Sequence, residues 1–192
     1  MKKQIDTYFD KLVSTIQNLD KNEIEKSAEV LLEAYHNKKQ IFICGNGGSA
    51  STASHFAADI NKAVSYGLEK RFKIIPLTDN LSTITAYTND VGYDVVFLEQ
   101  MKNFFQEGDV IIGISGSGNS QNVLNAVEFV NANGGISIGW TGFTGGKLKE
   151  ISTYSVNANI EDMQVSEDVH MVFTHLMMKI MRKSLTGSEE YC

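Results

Sequence analysis

Apolar side chains recur at helical spacing over the first twenty residues of the chain. Residues three and four positions apart share one face of a helix, so this spacing predicts an amphipathic first helix of roughly 15 to 20 residues. Its apolar positions are Ile5, Tyr8, Phe9, Leu12, Val13, Ile16 and Leu19. A second helical pattern covers residues 22–37. Because the apolar face of the first helix needs a partner, it indicates an oligomer interface.

After the second helix, short apolar runs alternate with helical stretches. The runs QIFICG, KIIPLT, DVIIGIS, GISIGWT and YSVNAN are predicted strands, and residues 81–88, 121–133 and 167–185 are predicted helices. Strands that are apolar on both faces and separated by helices indicate a parallel sheet covered on both sides. We therefore expect an α/β fold, a doubly wound parallel five-stranded sheet flanked by helices, with two extra N-terminal helices.

Length and composition indicate one ordinary globular domain. We expect residues 1–192 to form a single domain, with 1–38 as a helical pair for oligomer contacts and 39–192 as the α/β core. The longest apolar runs are far shorter than the roughly 20 residues of a membrane span, so no membrane association is expected. A net charge of -6 with scattered basic residues argues against nucleic-acid binding.

The N-terminus carries charges throughout and lacks the apolar stretch of a secretory signal. We therefore expect a cytoplasmic protein. Its two cysteines, Cys44 and Cys192, do not make a disulfide framework and are expected to be reduced thiols.

Two loops rich in glycine and serine each connect a predicted strand to a predicted helix. Glycine lets the backbone approach an anion, serine donates hydrogen bonds, and a helix N-terminus supplies free N–H groups. The second loop, SGSGNS, suits a monophosphate, but a serine-rich capping loop has the same composition. Both loops should lie at the carboxyl ends of parallel strands, where open α/β sheets bind ligands. The polar candidates are Asn46 and Ser49 in the first loop and Ser115, Ser117 and Ser120 in the second.

Two helices carry groups that suit proton transfer or metal binding. His55 and Asp59 are four residues apart and share a helix face. This spacing suits a shared metal ion or a shared proton-transfer task, and it also fits an ordinary pair on a helix surface. Glu167, His170 and His175 stand among apolar residues of the last predicted helix. His170 is three residues from Glu167, a spacing that also fits a structural pair in which Glu167 holds His170. His170 and His175 lie on different faces, so both cannot reach one metal without distortion.

Two further polar pairs follow the second predicted strand. Asp79 and Asn80 end KIIPLTDN, and Asn89 and Asp90 lie in YTNDVGY. Each pair suits either hydrogen bonds to sugar hydroxyls or helix capping.

Five stretches of the chain, in this order and spacing, resemble the sugar isomerase (SIS) family: ICGNGGSASTASHFAAD, TDN, AYTNDVGY, VIIGISGSGNSQNV and EDVHMVFTH. Within it they most resemble members that isomerise a seven-carbon sugar phosphate. The resemblance runs over nearly the whole chain. It implies the SIS fold, a homotetramer with active sites between subunits, one zinc ion per subunit, and aldose–ketose isomerisation of sedoheptulose 7-phosphate through a cis-enediol.

The resemblance also implies roles for individual residues. The expected substrate-binding residues are Asn46, Gly47, Ser49, Asp90, Ser115, Ser117, Ser120 and Glu167, with the three serines of the second loop on the phosphate. The expected metal ligands are His55, Asp59, Glu167 and His175. Asp59 and His175 are the expected acid and base. Glu167 and His175 are about 12 Å apart along an ideal helix, so they reach one ion only if their side chains converge; otherwise Glu167 is structural.

Four positions depart from the family pattern. The family usually has glutamate at Asp59, glutamine at Glu167 and arginine at Ala63, and often threonine at Gly116. These positions face the substrate in the family, so the resemblance leaves room for an altered sugar. Two other functions stay open: a non-catalytic SIS regulator that binds a sugar phosphate, and a metal-independent isomerase or lyase of an amino-sugar phosphate.

Overall fold

Five parallel strands form the centre of the fold, as the sequence predicts. In the computed structural model, which describes residues 1–188, they are β1 (Gln40–Gly45), β2 (Lys73–Pro76), β3 (Val110–Ser115), β4 (Ile136–Thr141) and β5 (Tyr154–Asn157). Their order across the sheet is β2-β1-β3-β4-β5, and every neighbouring pair is parallel. The doubly wound five-stranded α/β fold is therefore confirmed.

Eight α-helices surround this sheet within the described residues. They are α1 (Lys2–Gln17), α2 (Lys21–His36), α3 (Gly48–Ala58), α4 (Leu81–Asp90), α5 (Val96–Lys102), α6 (Gln121–Ala132), α7 (Gly146–Ile151) and α8 (Met163–Thr186). A π-helix, Asp59–Val64, continues α3 directly, and a 3-10 turn, Tyr93–Val95, precedes α5.

The last helix begins earlier than the sequence pattern indicates. The apolar pattern predicts a start at residue 167, whereas α8 begins at Met163. Asp162 is its N-cap, because a carboxylate oxygen accepts a hydrogen bond from the backbone N–H of Val165. The cap adds a turn in front of the apolar repeat. The short helices α5 and α7 were not predicted.

Alternate residues of the strands face two separate apolar layers. In β1, Ile41 and Ile43 pack in the layer covered by α1, α2, α3 and α8, whereas Phe42 and Cys44 pack in the layer covered by α5, α6 and α7. Each fully buried large apolar side chain contributes about 1.5–3 kcal/mol relative to exposure. The sheet is thus held rigidly from both sides. Within residues 1–188, no helix has the length and apolar character that a bilayer span requires.

The strand order sets the position of the two glycine loops. The chain leaves β1 to form β2 on one side and later returns to form β3 on the other. Such a reversal opens a crevice at the carboxyl ends of the strands. Because β1 and β3 are paired as far as Gly45 and Ile114, the loops that follow them are neighbours.

Cys44, the cysteine within residues 1–188, is a buried free thiol. Cys44 is fully buried in β1, and this burial raises its pKa above the usual range for a thiol. Cys192 lies outside the described residues.

Candidate active site

Three side chains from α3, the π-helix and α8 converge on one point. Nε2 of His55 lies 3.1 Å from Nε2 of His175 and 3.3 Å from Oδ2 of Asp59. The ligand atoms of all three residues lie within 4.8 Å of one another. The i, i+4 spacing of His55 and Asp59 therefore places both on the helix face that meets α8.

The geometry of this cluster allows it to hold a metal ion. Two imidazole nitrogens at 3.1 Å form a hydrogen bond only if one is protonated and the other is not. Oδ2 of Asp59 is buried, and its contact with His55 lacks hydrogen-bond geometry, so no group among residues 1–188 hydrogen-bonds this oxygen. Zinc bonds of about 2.0–2.2 Å hold tetrahedral ligand atoms about 3.4 Å apart, close to both measured separations.

A π-helix begins at Asp59 itself. The backbone N–H of Ser65 donates to the carbonyl of Ile60 at 3.1 Å, so the turn is one residue wider than in an α-helix. π-Turns are rare and concentrate at functional sites. The guanidinium of Arg182, which is 8% exposed on α8, donates to the carbonyls of Val64 and Tyr66. These bonds fasten the far end of the wide turn to the helix that carries His175.

The structure does not bring Glu167 into the cluster. Its carboxylate lies against Gly48 in the first turn of α3, so near that a Cβ on Gly48 would be 2.6 Å from Oε2. The N-terminus of a helix favours a negative charge. Glu167 and His175 thus meet α3 near its opposite ends, and this structure has three clustered candidate ligands.

His170 has a separate place in the core. It is completely buried, and its Nε2 lies 3.1 Å from the carbonyl oxygen of Thr141 at the end of β4, so it is not held by Glu167. Burial lowers its pKa to about 4. His170 is therefore neutral at physiological pH and fastens α8 to the sheet.

The second glycine loop forms a cradle of polar groups above β3. The hydroxyls of Ser115 and Ser120 are 3.0 Å apart, and Oγ of Ser117 accepts a hydrogen bond from the backbone N–H of Asn119. Ser120 is the N-cap of α6, yet its side chain makes no capping bond. In the part of the chain that the structure describes, the backbone N–H groups of Gln121 and Asn122 have no partner. These free donors favour an anion site over a capping loop.

The departure at Gly116 has a structural reason. A Cβ on this residue would lie 2.4 Å from Sδ of Met163, in the first turn of α8. Threonine at this position would displace the methionine. Ala63, where the family has arginine, packs partly buried against the apolar layer of α3 and α8.

The first loop holds an amide pair that sequence reasoning missed. The side chains of Asn46 and Asn122 exchange two hydrogen bonds of 2.9 Å each, and the hydroxyl of Tyr93 donates to Oδ1 of Asn46 at 2.7 Å. Asn122 is 2% exposed. The only signal in the sequence was its place two residues after Ser120.

The remaining predicted residues lie around these groups or apart from them. Gly47 is the N-cap of α3 with a φ of 54°, and Ser49 is buried against the end of β1. Asp90 is exposed at the end of α4, where it accepts a hydrogen bond from Asn89. Asn80 caps α4 through the N–H of Thr83, as the capping alternative predicts.

The sheet, the serine cradle and the sequence pattern together define a SIS domain. The SIS domain model matches residues 7–142, and the chain belongs to this family. Among curated relatives, the phosphoheptose isomerase of Aliarcobacter butzleri is 37% identical over 177 residues, 92% of this chain and 90% of the relative. That of Helicobacter pylori is 35% identical over 178 residues, 92% of this chain and 91% of the relative.

Solved structures give the same result. The structure of a phosphoheptose isomerase from Neisseria gonorrhoeae superposes with a TM-score of 0.85 at 31% identity, covering 94% of this chain and 97% of that one. The structure of a phosphoheptose isomerase from Francisella tularensis has a TM-score of 0.86 at 24% identity and covers 95% and 96% of the two chains. The first supports the family assignment, and the second supports the fold.

Proposed function

We propose that the protein is an aldose–ketose isomerase that converts sedoheptulose 7-phosphate into D-glycero-D-manno-heptose 7-phosphate. The observation that carries the proposal is the convergence of His55, Asp59 and His175 from α3, the π-helix and α8, in a chain that also has the serine cradle and whose relatives are phosphoheptose isomerases. A metal or acid/base cluster together with a separate anion site suits a substrate with a reacting carbonyl and a remote phosphate.

The serine cradle would bind the phosphate. Ser115, Ser117 and Ser120 offer hydroxyls, and Gln121 and Asn122 offer free backbone N–H groups at the positive end of the α6 dipole. The other helix that starts at the crevice, α3, already has the carboxylate of Glu167 in its first turn. The phosphate is therefore expected at α6, and its binding energy would position the reacting carbons.

The proton transfers would occur at Asp59 and His175. In the ketose, a base removes a proton from C1, beside the carbonyl at C2, and an acid protonates O2, which gives the cis-enediol with its proton still on O1. Loss of the O1 proton and protonation at C2 then give the aldose. Asp59 and His175 lie in one cluster, so one can act at carbon and the other at oxygen. An atom that binds a metal ion cannot exchange a proton at the same time, so Asp59 would act through its second carboxylate oxygen while the first holds the metal, and His175 would act when released from it.

His55, Asp59 and His175 would hold a zinc ion, one per subunit. When bound, the metal would polarise the substrate carbonyl and stabilise negative charge that develops on its oxygen. Glu167 would have to leave Gly48 to become a fourth ligand, so we assign it to the substrate side of the site with Asn46, Gly47, Ser49 and Asp90.

We further propose a cytoplasmic homotetramer whose active sites lie between subunits. Val172 and Leu176 flank His175 on α8, and both are about one-third exposed, at 36% and 37%. On α1, Ile5, Phe9 and Val13 are about half exposed. Apolar residues around a candidate active site favour cover by another copy of the chain.

The test is turnover of sedoheptulose 7-phosphate by metal-free protein with and without added zinc. We expect zinc to restore turnover at one ion per subunit, and His175→Ala to reduce it by at least about a hundredfold, as loss of a general acid or base does. His36→Ala, at an exposed histidine of α2, is the matched control and should behave as wild type. A correctly folded, zinc-loaded protein without turnover would refute this substrate.

A further inference from the structure

The amide of Asn46 is held in one orientation by two side chains from other elements. Asn122 comes from the first turn of α6, and Tyr93 comes from the turn before α5. Asn46 itself follows β1, in the loop between the strand and α3. Three segments that are distant in sequence therefore meet at one amide of the candidate sugar site.

The orientation of the network is fixed by the backbone. The N–H of Val123, which can only donate, is 3.0 Å from Oδ1 of Asn122. This oxygen therefore faces the backbone and also accepts from Nδ2 of Asn46 at 2.9 Å. Nδ2 of Asn122 must then donate to Oδ1 of Asn46.

The hydroxyl of Tyr93 completes the set. It lies 2.7 Å from Oδ1 of Asn46. An amide oxygen has two lone pairs, and those of Asn46 are now both used, one by Asn122 and one by Tyr93. An amide nitrogen has two N–H groups, of which Asn46 uses one. Its amide thus has one N–H left for a substrate and no free acceptor.

The segment that carries Tyr93 is itself fastened to α6. Nδ2 of Asn125 donates to the backbone carbonyl of Asp94 at 2.9 Å, and Nε2 of Gln121 donates to Oδ1 of Asn125 at 2.7 Å. The helix α6, which begins at the serine cradle, therefore holds both partners of Asn46 in place.

We propose that Asn122 and Tyr93 are positioning residues that make Asn46 a donor-only group, which recognises an oxygen of the substrate that accepts a hydrogen bond. This inference rests on the proposed function and deepens it. The free N–H of Asn46 donates to a lone pair of a carbonyl, hydroxyl or phosphate oxygen of the substrate, and Asn46 accepts no hydrogen bond from a sugar hydroxyl. Asn46 touches the substrate; Asn122 and Tyr93 act through it.

Two substitutions of Asn46 test the donor role. Asn46→Asp keeps the size of the side chain but replaces the N–H donor by an oxygen that also repels Oδ1 of Asn122. We expect kcat/KM to fall by about a hundredfold or more, at least as far as in Asn46→Ala. An Asn46→Asp enzyme that keeps clearly more activity than Asn46→Ala would overturn the proposal, because an acceptor would then suffice.

A double-mutant cycle tests the positioning role of Tyr93. Tyr93→Phe removes only the hydroxyl, and we expect a fall in kcat/KM of about fivefold to tenfold in the wild-type background. In the Asn46→Ala background the same change should have no further effect. An equal loss in both backgrounds would show that Tyr93 acts independently of Asn46. The control is Tyr154→Phe, at the amino end of β5, away from the crevice.

A spectroscopic measurement separates this inference from the substrate assignment. If the wild-type protein does not turn over sedoheptulose 7-phosphate, the proposed function fails, but the side-chain NH2 signals of Asn46 still report on the network. Assigned by their loss in Asn46→Ala, they should shift in Tyr93→Phe and stay unchanged in Tyr154→Phe. Unchanged signals in Tyr93→Phe would overturn the positioning role whatever the substrate is.

Discussion

Gly118 allows the serine cradle to touch the loop before α7. Its φ is 69°, a conformation that side chains disfavour, and an added Cβ would lie 1.9 Å from the carbonyl oxygen of Gly145. The carbonyl of Gly118 in turn accepts from the N–H of Leu148 at 2.8 Å. The shape of the cradle thus depends on backbone contact that excludes any side chain.

We expect Gly118→Ala to destabilise the protein by about 3 kcal/mol or more, because steric overlap with backbone adds to the cost of the positive φ. The free energy of unfolding in urea measures the effect. Gly67→Ala is the matched control: its φ is 81°, but nothing lies within 4 Å of an added Cβ. It should cost only about 1–2 kcal/mol. Equal losses at both sites would mean that the contact with Gly145 is unimportant.

Individual residues differ in how far the sequence could predict them. The pairing of His55 with Asp59 follows from helical spacing alone, whereas the composition of the second loop fits an anion cradle and a capping loop equally well. The approach of His175 depends on how α8 packs on α3, which spacing within one helix does not reveal. Asn122 looked like an ordinary helical residue, since its partner Asn46 is 76 positions away.

The helices α3 and α8 are joined by features that periodicity does not encode. The wide turn at Asp59–Val64 interrupts the regular α-helical repeat. The carbonyls of Val64, its last residue, and of Tyr66, two residues beyond it, accept hydrogen bonds from Arg182 in a distant part of the chain. Strand positions were predictable because apolar runs mark buried strands. The short helices α5 and α7, of 7 and 6 residues, are too brief to show a clear period.

His170 makes the attachment of α8 to β4 sensitive to acid. Its folded-state pKa of about 4 lies below the ordinary 6.5, so the unfolded chain binds the proton more readily. Stability from neutral His170 is complete above pH 6.5 and is lost as the pH falls towards 4. The shift corresponds to about 3 kcal/mol.

We therefore expect His170→Asn to be less stable than wild type at pH 7 but to have a flatter decline in the free energy of unfolding between pH 6.5 and 4. Urea unfolding at several pH values measures both. His36→Asn, at an exposed histidine, should run parallel to wild type. If His170→Asn also runs parallel, protonation of His170 does not contribute to acid unfolding.

The chain as a whole combines a covered sheet with an exposed apolar surface. One side of α1 docks on the domain: the hydroxyl of Tyr8 donates to Asp168 at 2.6 Å, which raises the pKa of Tyr8 to about 12, and Leu12 and Ile16 pack on the core. The sequence predicted an apolar face here, but not that it would divide. Its other part, Ile5, Phe9 and Val13, remains exposed.

Phe9→Glu tests whether this exposed stripe joins subunits. Burial of a phenylalanine contributes about 1.5–3 kcal/mol, and a buried unpaired carboxylate costs more, so the substitution should dissociate the assembly. Sedimentation velocity should show a smaller species, and turnover should fall with it if the active sites lie between subunits. Phe104→Glu is the control, because Phe104 is matched in exposure, at 59% against 60% for Phe9; it should leave the sedimentation coefficient unchanged. An unchanged sedimentation coefficient in Phe9→Glu would show that the subunit interface does not include this part of α1. A dissociated protein that keeps full turnover would show that each active site lies within one chain.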